Sequence, residues 1–468
     1  MRFRFKMMAR LSILISFFFL QVAVTHGQEI TPFKNNDRVV FLGNSITDGG
    51  HYHSYILLYY TTRFPAMNLS VLNAGIGGDR VGDMVKRLDG DVFSKRPTVL
   101  VTTFGMNDSG YFEYNGDEPD MFADEKVKES YEAYQEMERR YKTLAGTRIV
   151  MMGSSPYDET AVIKDNTPFK GKNKAMRRIV DFQRASAQAN GWEFFDLNQP
   201  MTDINERMQQ QDPAFALCGD DRIHPDNDGH MVMAYLFLKA QGFAGNKVAE
   251  LSVDAARQQV LSAENCRLSD IKKTAGGIAF DYTARSLPYP LDTVARGWGS
   301  KKSQFDALRA IPFMEEMNQE MLVVTGLKGP HQLLIDGEVI GTWSAETFAE
   351  GINLAALSQT PQYQQALSVM YLNEERWEIE RRFRDYAWVQ HNFFQAKGLL
   401  NANNRKAIDV MDEHVATDGW LRAKRDLYAK AMLPEVREAW QRQIDQLETA
   451  MREAAVPKTR KIELIAVQ

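Results

Sequence analysis

The sequence predicts an α/β first half, with a parallel sheet covered by helices on both faces, then a small β-rich unit and a helical C-terminal region. Three observations carry this. Residues 36–247 alternate short apolar, β-branched runs with longer amphipathic stretches. Strands that read as near-continuous apolar runs between helices are buried on both faces, the mark of a parallel sheet. After residue 247 the runs shorten and Asp336-Gly337 sits between two apolar segments, a hairpin signal because both central turn residues need positive φ. From about 360 to 455 the chain is rich in Glu, Arg and Gln with aromatics interspersed, a helical composition.

Taken in order, the strands of the first half are expected at 38–42, 69–73, 98–104, 148–153 and 192–196. Helices are expected at 54–63, 81–88, 127–144, 174–189 and 229–241. Strands at 278–283, 321–325, 332–335 and 338–342 suggest a small antiparallel unit. In the last stretch the charged side chains are expected on solvated helix faces, with Trp377, Phe383, Tyr386 and Trp388 packing inward.

The 468 residues suffice for two or three domains, and 44% hydrophobic with 25% charged residues is ordinary globular composition. Arg2, Arg4, Lys6 and Arg10 form a basic start before an apolar run at 11–20 that continues through 22–24, with Thr25 and Gly27 as small residues. This pattern reads as a signal peptide cleaved near Gly27, and hence a secreted or periplasmic protein. A span would need about 20 apolar residues. Losing those four basic residues shifts the formal charge from −5 to −9. An acidic surface disfavours nucleic acid and anionic membranes as partners. The two cysteines, Cys218 and Cys266, either pair in an oxidising compartment or stay as buried thiols.

Four segments carry chemistry. Gly43-Asn44-Ser45-Ile46-Thr47 follows the first strand, where a lone serine is commonly a helix cap. Asn73-Ala74-Gly75-Ile76-Gly77-Gly78-Asp79 follows the second; its glycines allow close backbone approach to a ligand or simply make a turn, and their spacing does not match a nucleotide fingerprint. Gly105-Met106-Asn107-Asp108 ends the third strand, placing an amide or a turn former there. Asp221-Arg222-Ile223-His224-Pro225 can hold a carboxylate against one imidazole nitrogen and leave the other free as a base, or form a surface turn. All four lie at the expected carboxyl edge of the sheet or in loops that reach it, where such sheets bind ligands.

Together and in this order the four segments resemble the sequence blocks of the SGNH hydrolases, the GDSL-like esterases, over about residues 36–247. The resemblance implies a flavodoxin-like, three-layer α/β/α core. It implies Ser45 as nucleophile, His224 as base and Asp221 as the carboxylate that orients it. An oxyanion hole would come from the Ser45 and Gly78 N–H groups and the Asn107 amide, with no metal or cofactor. Asn44 departs from the Asp often found before the serine, a change that leaves the turn intact and removes a charge. With the patterns read above, the expected division is a signal peptide at 1–27, a hydrolase domain at 28–247, a β-rich accessory region at 248–359 and a helical region at 360–468.

Secreted relatives of this shape are often carbohydrate O-acetylesterases, so an acetylated glycan or small acyl ester is the expected substrate. A lipid or lysophospholipid esterase, or a catalytically silent glycan-binding protein, are the alternatives. Of the remaining candidates, His51 and His53 suggest a cleft or surface role, since no ligand set for a metal accompanies them. His230 reads as structural, and His331 and His391 have no evident partner. Asp79, Arg80 and Asp108 either line the cleft or serve as caps and ion pairs.

Overall fold

The computed structural model describes residues 30–274, 276–297 and 299–467; the expected signal peptide lies outside them. Five strands, β1 (Arg38–Gly43), β2 (Ser70–Gly75), β3 (Val99–Thr102), β4 (Arg148–Met152) and β5 (Glu193–Phe195), pair in parallel in the order β2-β1-β3-β4-β5. This is the flavodoxin-like winding, whose ligand crevice opens beside β1 and β3 at the carboxyl ends of the strands. Seven helices accompany them: α1 (Ser45–Asp48), α2 (Tyr52–Arg63), α3 (Val81–Lys86), α4 (Pro119–Tyr141), α5 (Lys172–Asn190), α6 (Asn198–Gln209) and α7 (Asn227–Ala240). Alternate strand residues serve the two faces. Val39 and Phe41 pack with residues of α2 and α7, while Val40 and Leu42 pack with residues of α3 and α4. Helix α4 begins eight residues earlier than its apolar period suggests, with Pro119 in its first turn, a position that costs no hydrogen bond.

The β-rich unit is a sandwich. One sheet holds β6 (Ala249–Asp254), β7 (Gln259–Glu264), β10 (Glu320–Thr325) and β13 (Ile352–Asn353); the other holds β8 (Cys266–Thr274), β9 (Gly277–Ala284), β11 (His331–Ile335), β12 (Glu338–Trp343) and β14 (Arg460–Ala466). Short helices α8 (Phe313–Met317) and α9 (Ala345–Glu350) lie between strands. Leu251, Val253, Leu322 and Val324 meet Phe280, Leu333, Ile462 and Leu464 in the core between the sheets. Two expectations need correction here. The unit is not wholly antiparallel, because β6 and β10 pair in parallel. And the helical C-terminal region returns as strand β14 between β9 and β11, so residues 460–466 complete the sandwich.

The C-terminal helices are α10 (Pro361–Trp388), α11 (Arg405–Asp412), α12 (Gly419–Ala431) and α13 (Pro434–Ala454). With 28 residues, α10 is about 42 Å long at 1.5 Å per residue, and it ties the units together. Near its start Gln362 donates to Glu320 of the sandwich, and near its end Arg384 donates to Asp91 of the α/β core. The expectation that its charged residues are solvated is therefore wrong for Glu374, Arg376, Glu380 and Arg384, which are buried. The aromatics do pack inward, Trp377 fully and Phe383, Tyr386 and Trp388 in part.

Cys218 and Cys266 are free, buried thiols, so the pairing considered from sequence does not form. Each donates to a backbone carbonyl, Cys218 to Pro156 and Cys266 to Glu250. Among the described residues, no helix is long and apolar enough to cross a membrane.

Candidate active site

Strand β1 ends in the turn that presents Ser45. Asn44 has extended backbone, and its side chain accepts from the Ile46 N–H at 3.1 Å. Asn44 is therefore the cap of α1, and Ser45 is free to stand at the first helical position with its hydroxyl partly exposed. The neutral amide holds the turn as an aspartate would, without the charge. The Ser45 Oγ lies 2.8 Å from His224 Nε2, and His224 Nδ1 lies 2.5 Å from Asp221 Oδ2.

The Asp221–His224 turn is built locally and braced from below. Asp221 Oδ1 accepts from the N–H groups of Ile223 and His224, both at 2.9 Å. Between them Arg222 takes a left-handed backbone, φ +66°, and buries its guanidinium against the carbonyls of Asp158, Ala161 and Asn166. Burial pushes the Asp221 carboxyl up, but the His224 hydrogen bond and charge and the two backbone donors outweigh it and hold it below the usual range. Asp221 thus stays a carboxylate, the state that can hold the imidazole by Nδ1 while Nε2 faces the Ser45 hydroxyl.

The glycine loop runs directly beside the serine. A Cβ on Gly77 would sit 3.9 Å from Ser45 Cβ, and one on Gly75 would fall 2.2 Å from the Asp48 nitrogen; only glycine lets β2 end this close to α1. Gly78 has φ +88°, a conformation other side chains rarely adopt. Asn107 comes from the loop after β3. Its Nδ2 donates to the Asp79 carbonyl at 2.9 Å and its Oδ1 accepts from Tyr111 O–H at 2.5 Å. These contacts fix which way the amide faces and leave one Nδ2 hydrogen available. The five residues singled out from sequence, Ser45, Gly78, Asn107, Asp221 and His224, therefore come together at the carboxyl edge of the sheet.

The other candidates separate from them. Asp79 is buried and paired with Arg87 Nε at 2.7 Å; burial lifts its carboxyl to about 6 against the pull of that guanidinium. Asp108 is buried and accepts from the N–H groups of Val81 and Gly105, while Arg80 is exposed and pairs with Asp83. The cleft or surface role expected for His51 and His53 is not what the structure shows, because both are buried. His51 stacks on Trp377 at 3.9 Å between ring centres and lies 3.6 Å from the Glu374 carboxylate of α10, and His53 stacks on Phe41. His230 is buried beside Tyr52 on α7, as expected of a structural histidine. His331 bonds the carbonyls of Gly329 and Gly276, and His391 lies within reach of Gln395. Among the described residues, no group of three or more His, Cys, Asp or Glu is arranged to hold a metal.

Residues 41–232 match the model of the GDSL-like lipase/acylhydrolase family, and residues 367–456 match that of the diltiazem deacetylase C-terminal helical domain. The structure of a gut microbial diltiazem-metabolizing enzyme is 62% identical, with a TM-score of 0.93, covering 94% of this chain and 100% of that one. The chain belongs to the GDSL-like lipase/acylhydrolase family. It is a carboxylic ester hydrolase of the SGNH type. An acetylxylan esterase from Geobacillus stearothermophilus is 27% identical over 231 residues, which are 45% of this chain and 95% of the relative.

Around the site of this SGNH hydrolase, the structure adds residues that sequence reasoning did not single out. Arg87, fully buried, donates to the carbonyls of Gly43 and Ala74 and to Asp79 and Asp91. It therefore anchors the ends of both β1 and β2, from which the serine turn and the glycine loop start. Lys172, also buried, donates to Met106 O, Ser109 Oγ and Gly110 O beneath the Asn107 loop and lies 4.0 Å from the centre of the Tyr111 ring. Burial pulls its ammonium down to about 7, with Asp108 and Glu159 pulling the other way. Neither stands out locally, since Arg87 follows Lys86 and Lys172 lies between Lys170 and Lys174.

Proposed function

We propose that this esterase removes O-acetyl groups through a covalent acyl-enzyme on Ser45, with His224 as general base and acid and Asp221 as its orienting carboxylate. The observation that carries the reading is the continuous chain from Ser45 Oγ to His224 Nε2 at 2.8 Å and from His224 Nδ1 to Asp221 Oδ2 at 2.5 Å. A serine hydroxyl attacks an ester carbonyl when a base removes its proton during attack. His224 takes that proton and later returns it to the leaving alcohol, while Asp221 stabilises the imidazolium without accepting the proton. The tetrahedral oxyanion meets the N–H groups of Ser45 and Gly78 and the free Nδ2 hydrogen of Asn107. One such donor is worth roughly 2.7–4 kcal/mol. Water then repeats the cycle on the acyl-enzyme and releases acetate.

For the natural substrate, an acetylated carbohydrate met outside the cytoplasm, after export directed by residues 1–27, is the reading we favour. The acetylxylan relative supports the acetyl group and the glycan alike. A second reading, an acetyl ester on a non-carbohydrate ring system such as diltiazem, is favoured by the full-length, 62% identical enzyme. The test is acetate release by the purified protein from acetylated plant, algal and bacterial glycans and from diltiazem, beside Ser45→Ala and His224→Ala. Both variants are expected to fold, to lose turnover and, for Ser45→Ala, to lose labelling by a fluorophosphonate. Full activity in either variant would falsify the triad; diltiazem cleavage with no acetate from any glycan would select the second reading.

A further inference from the structure

The helical region reaches the glycine loop at one polar contact that has a chemical consequence. After α10 the chain makes a π-helical turn, Val389–Phe394. Val389, Phe393 and Phe394 are buried in a cluster with Ile408, Leu421 and Tyr428, so the turn is held from behind. From its outer side Asn392 Nδ2 donates to the Gly77 carbonyl at 3.3 Å. That carbonyl and the Gly78 N–H belong to one planar, trans peptide unit, and they point in opposite directions. Holding the carbonyl from the helical side therefore aims the Gly78 N–H the other way. Donation into the carbonyl also strengthens the N–H as a donor, since hydrogen bonds along one peptide polarise each other.

The preceding peptide is held as well. The Gly77 N–H donates to Asp48 Oδ2 at 3.0 Å, and Asp48 is the last residue of α1, the helix that begins at Ser45. Burial raises the Asp48 carboxyl, while the charges of Arg381, Arg384 and Lys424, all from the helical region, favour its ionised form. Arg384 is itself fixed by two bonds to Asp91, at 2.9 and 2.7 Å, and reaches the Gly75 carbonyl at 3.5 Å. The loop from Gly75 to Gly78 is thus held by α1 of the α/β core and by the helical region.

We propose that Asn392 is a positioning residue for catalysis, which sets the Gly77–Gly78 peptide so that the Gly78 N–H faces the oxyanion, and that the helical region is in this way part of the esterase apparatus. The proposal rests on the Ser45 acyl-enzyme reading above. Asn392 touches no reacting atom, so its loss is felt in the transition state, where the oxyanion exists, and not in ground-state binding.

The test is steady-state hydrolysis of 4-nitrophenyl acetate by the full chain, comparing Asn392→Ala, Asn392→Asp and Ser45→Ala, with thermal midpoints of each. Losing one polarising hydrogen bond predicts a fall in kcat of about two- to tenfold in Asn392→Ala. The fall is larger in Asn392→Asp, whose carboxylate repels the Gly77 oxygen. KM is expected to stay within about twofold, and the thermal midpoint to be unchanged because the side chain is exposed. Unchanged kcat in both variants, a change confined to KM, or a fall in kcat that follows a lowered midpoint and vanishes on cooling would each overturn the proposal. If Ser45→Ala is dead while both Asn392 variants match the wild type, only the positioning role fails. If Ser45→Ala retains turnover, the acyl-enzyme reading fails and the positioning role with it.

Discussion

Asp221 does two jobs with two oxygens, and they can be separated by one substitution. Oδ1 accepts from the N–H groups of Ile223 and His224 and so shapes the turn; Oδ2 lies 2.5 Å from His224 Nδ1 and, in the proposed mechanism, sets the tautomer. Asparagine keeps the first oxygen and replaces the second with an amide that donates. Asp221→Asn is therefore expected to fold normally while presenting the wrong imidazole tautomer to Ser45. In serine proteases the equivalent change costs about 10⁴-fold in kcat. Here the His224 and Asp221 side chains are 40% and 51% exposed, so water competes for both and a loss on the order of 10²- to 10³-fold is expected. Turnover measured against far-ultraviolet circular dichroism checks it; near-wild-type kcat would mean that His224 is oriented by something other than this carboxylate.

Helix α10 shows what the sequence reveals and what it conceals. The central sheet was legible because a strand buried on both faces must be apolar throughout, as Val39, Val40, Phe41 and Leu42 are. The five proposed site residues could be singled out because the four short segments that carry them, each ambiguous alone, occur together in the order of the SGNH blocks. The buried stripe of α10 was not legible, because it runs through Gln362, Asn373, Arg376, Glu380 and Arg384 and looks solvated by composition. Several of these side chains find partners far along the chain that no local pattern announces: Ser54 is 319 residues from Asn373, and Asp91 is 293 from Arg384. Strand β14 was concealed similarly, since it offers only Ile462 and Leu464 inward and its neighbours come from far upstream. The buried pair predicts a large effect. Arg384→Met leaves Asp91 with Arg87 and Lys95 but removes its bidentate partner, so a destabilisation of about 3 kcal/mol is expected, the low end for a broken buried pair. Urea unfolding measures it, and the double variant with Asp91→Asn should lose less than the two single losses combined.

The three units of the molecule meet around a carboxyl group that should give the whole fold a pH-dependent stability. Glu320 of β10 is buried and accepts from Tyr282 O–H of the opposite sheet at 2.8 Å and from Gln362 Nε2 of α10 at 3.2 Å, both on Oε1. Its Oε2 is buried without a partner. Burial lifts the carboxyl to about 7, against the hydrogen bonds from Tyr282 and Gln362 and the charges of Arg460 and Arg63. Between the ordinary glutamate value of 4.5 and about 7, the folded protein holds a proton that the unfolded chain has released. Stability therefore falls as pH rises through that window, and the loss is complete above it. A shift of this size corresponds to on the order of 3 kcal/mol. Glu320→Gln keeps an oxygen for Tyr282 and Gln362 and carries no proton to lose. It is expected to match the wild type in unfolding midpoint near pH 5 and to exceed it near pH 8. An equal loss of stability at both pH values would show that the carboxylate is held ionised, with Arg63 and Arg460 prevailing over burial.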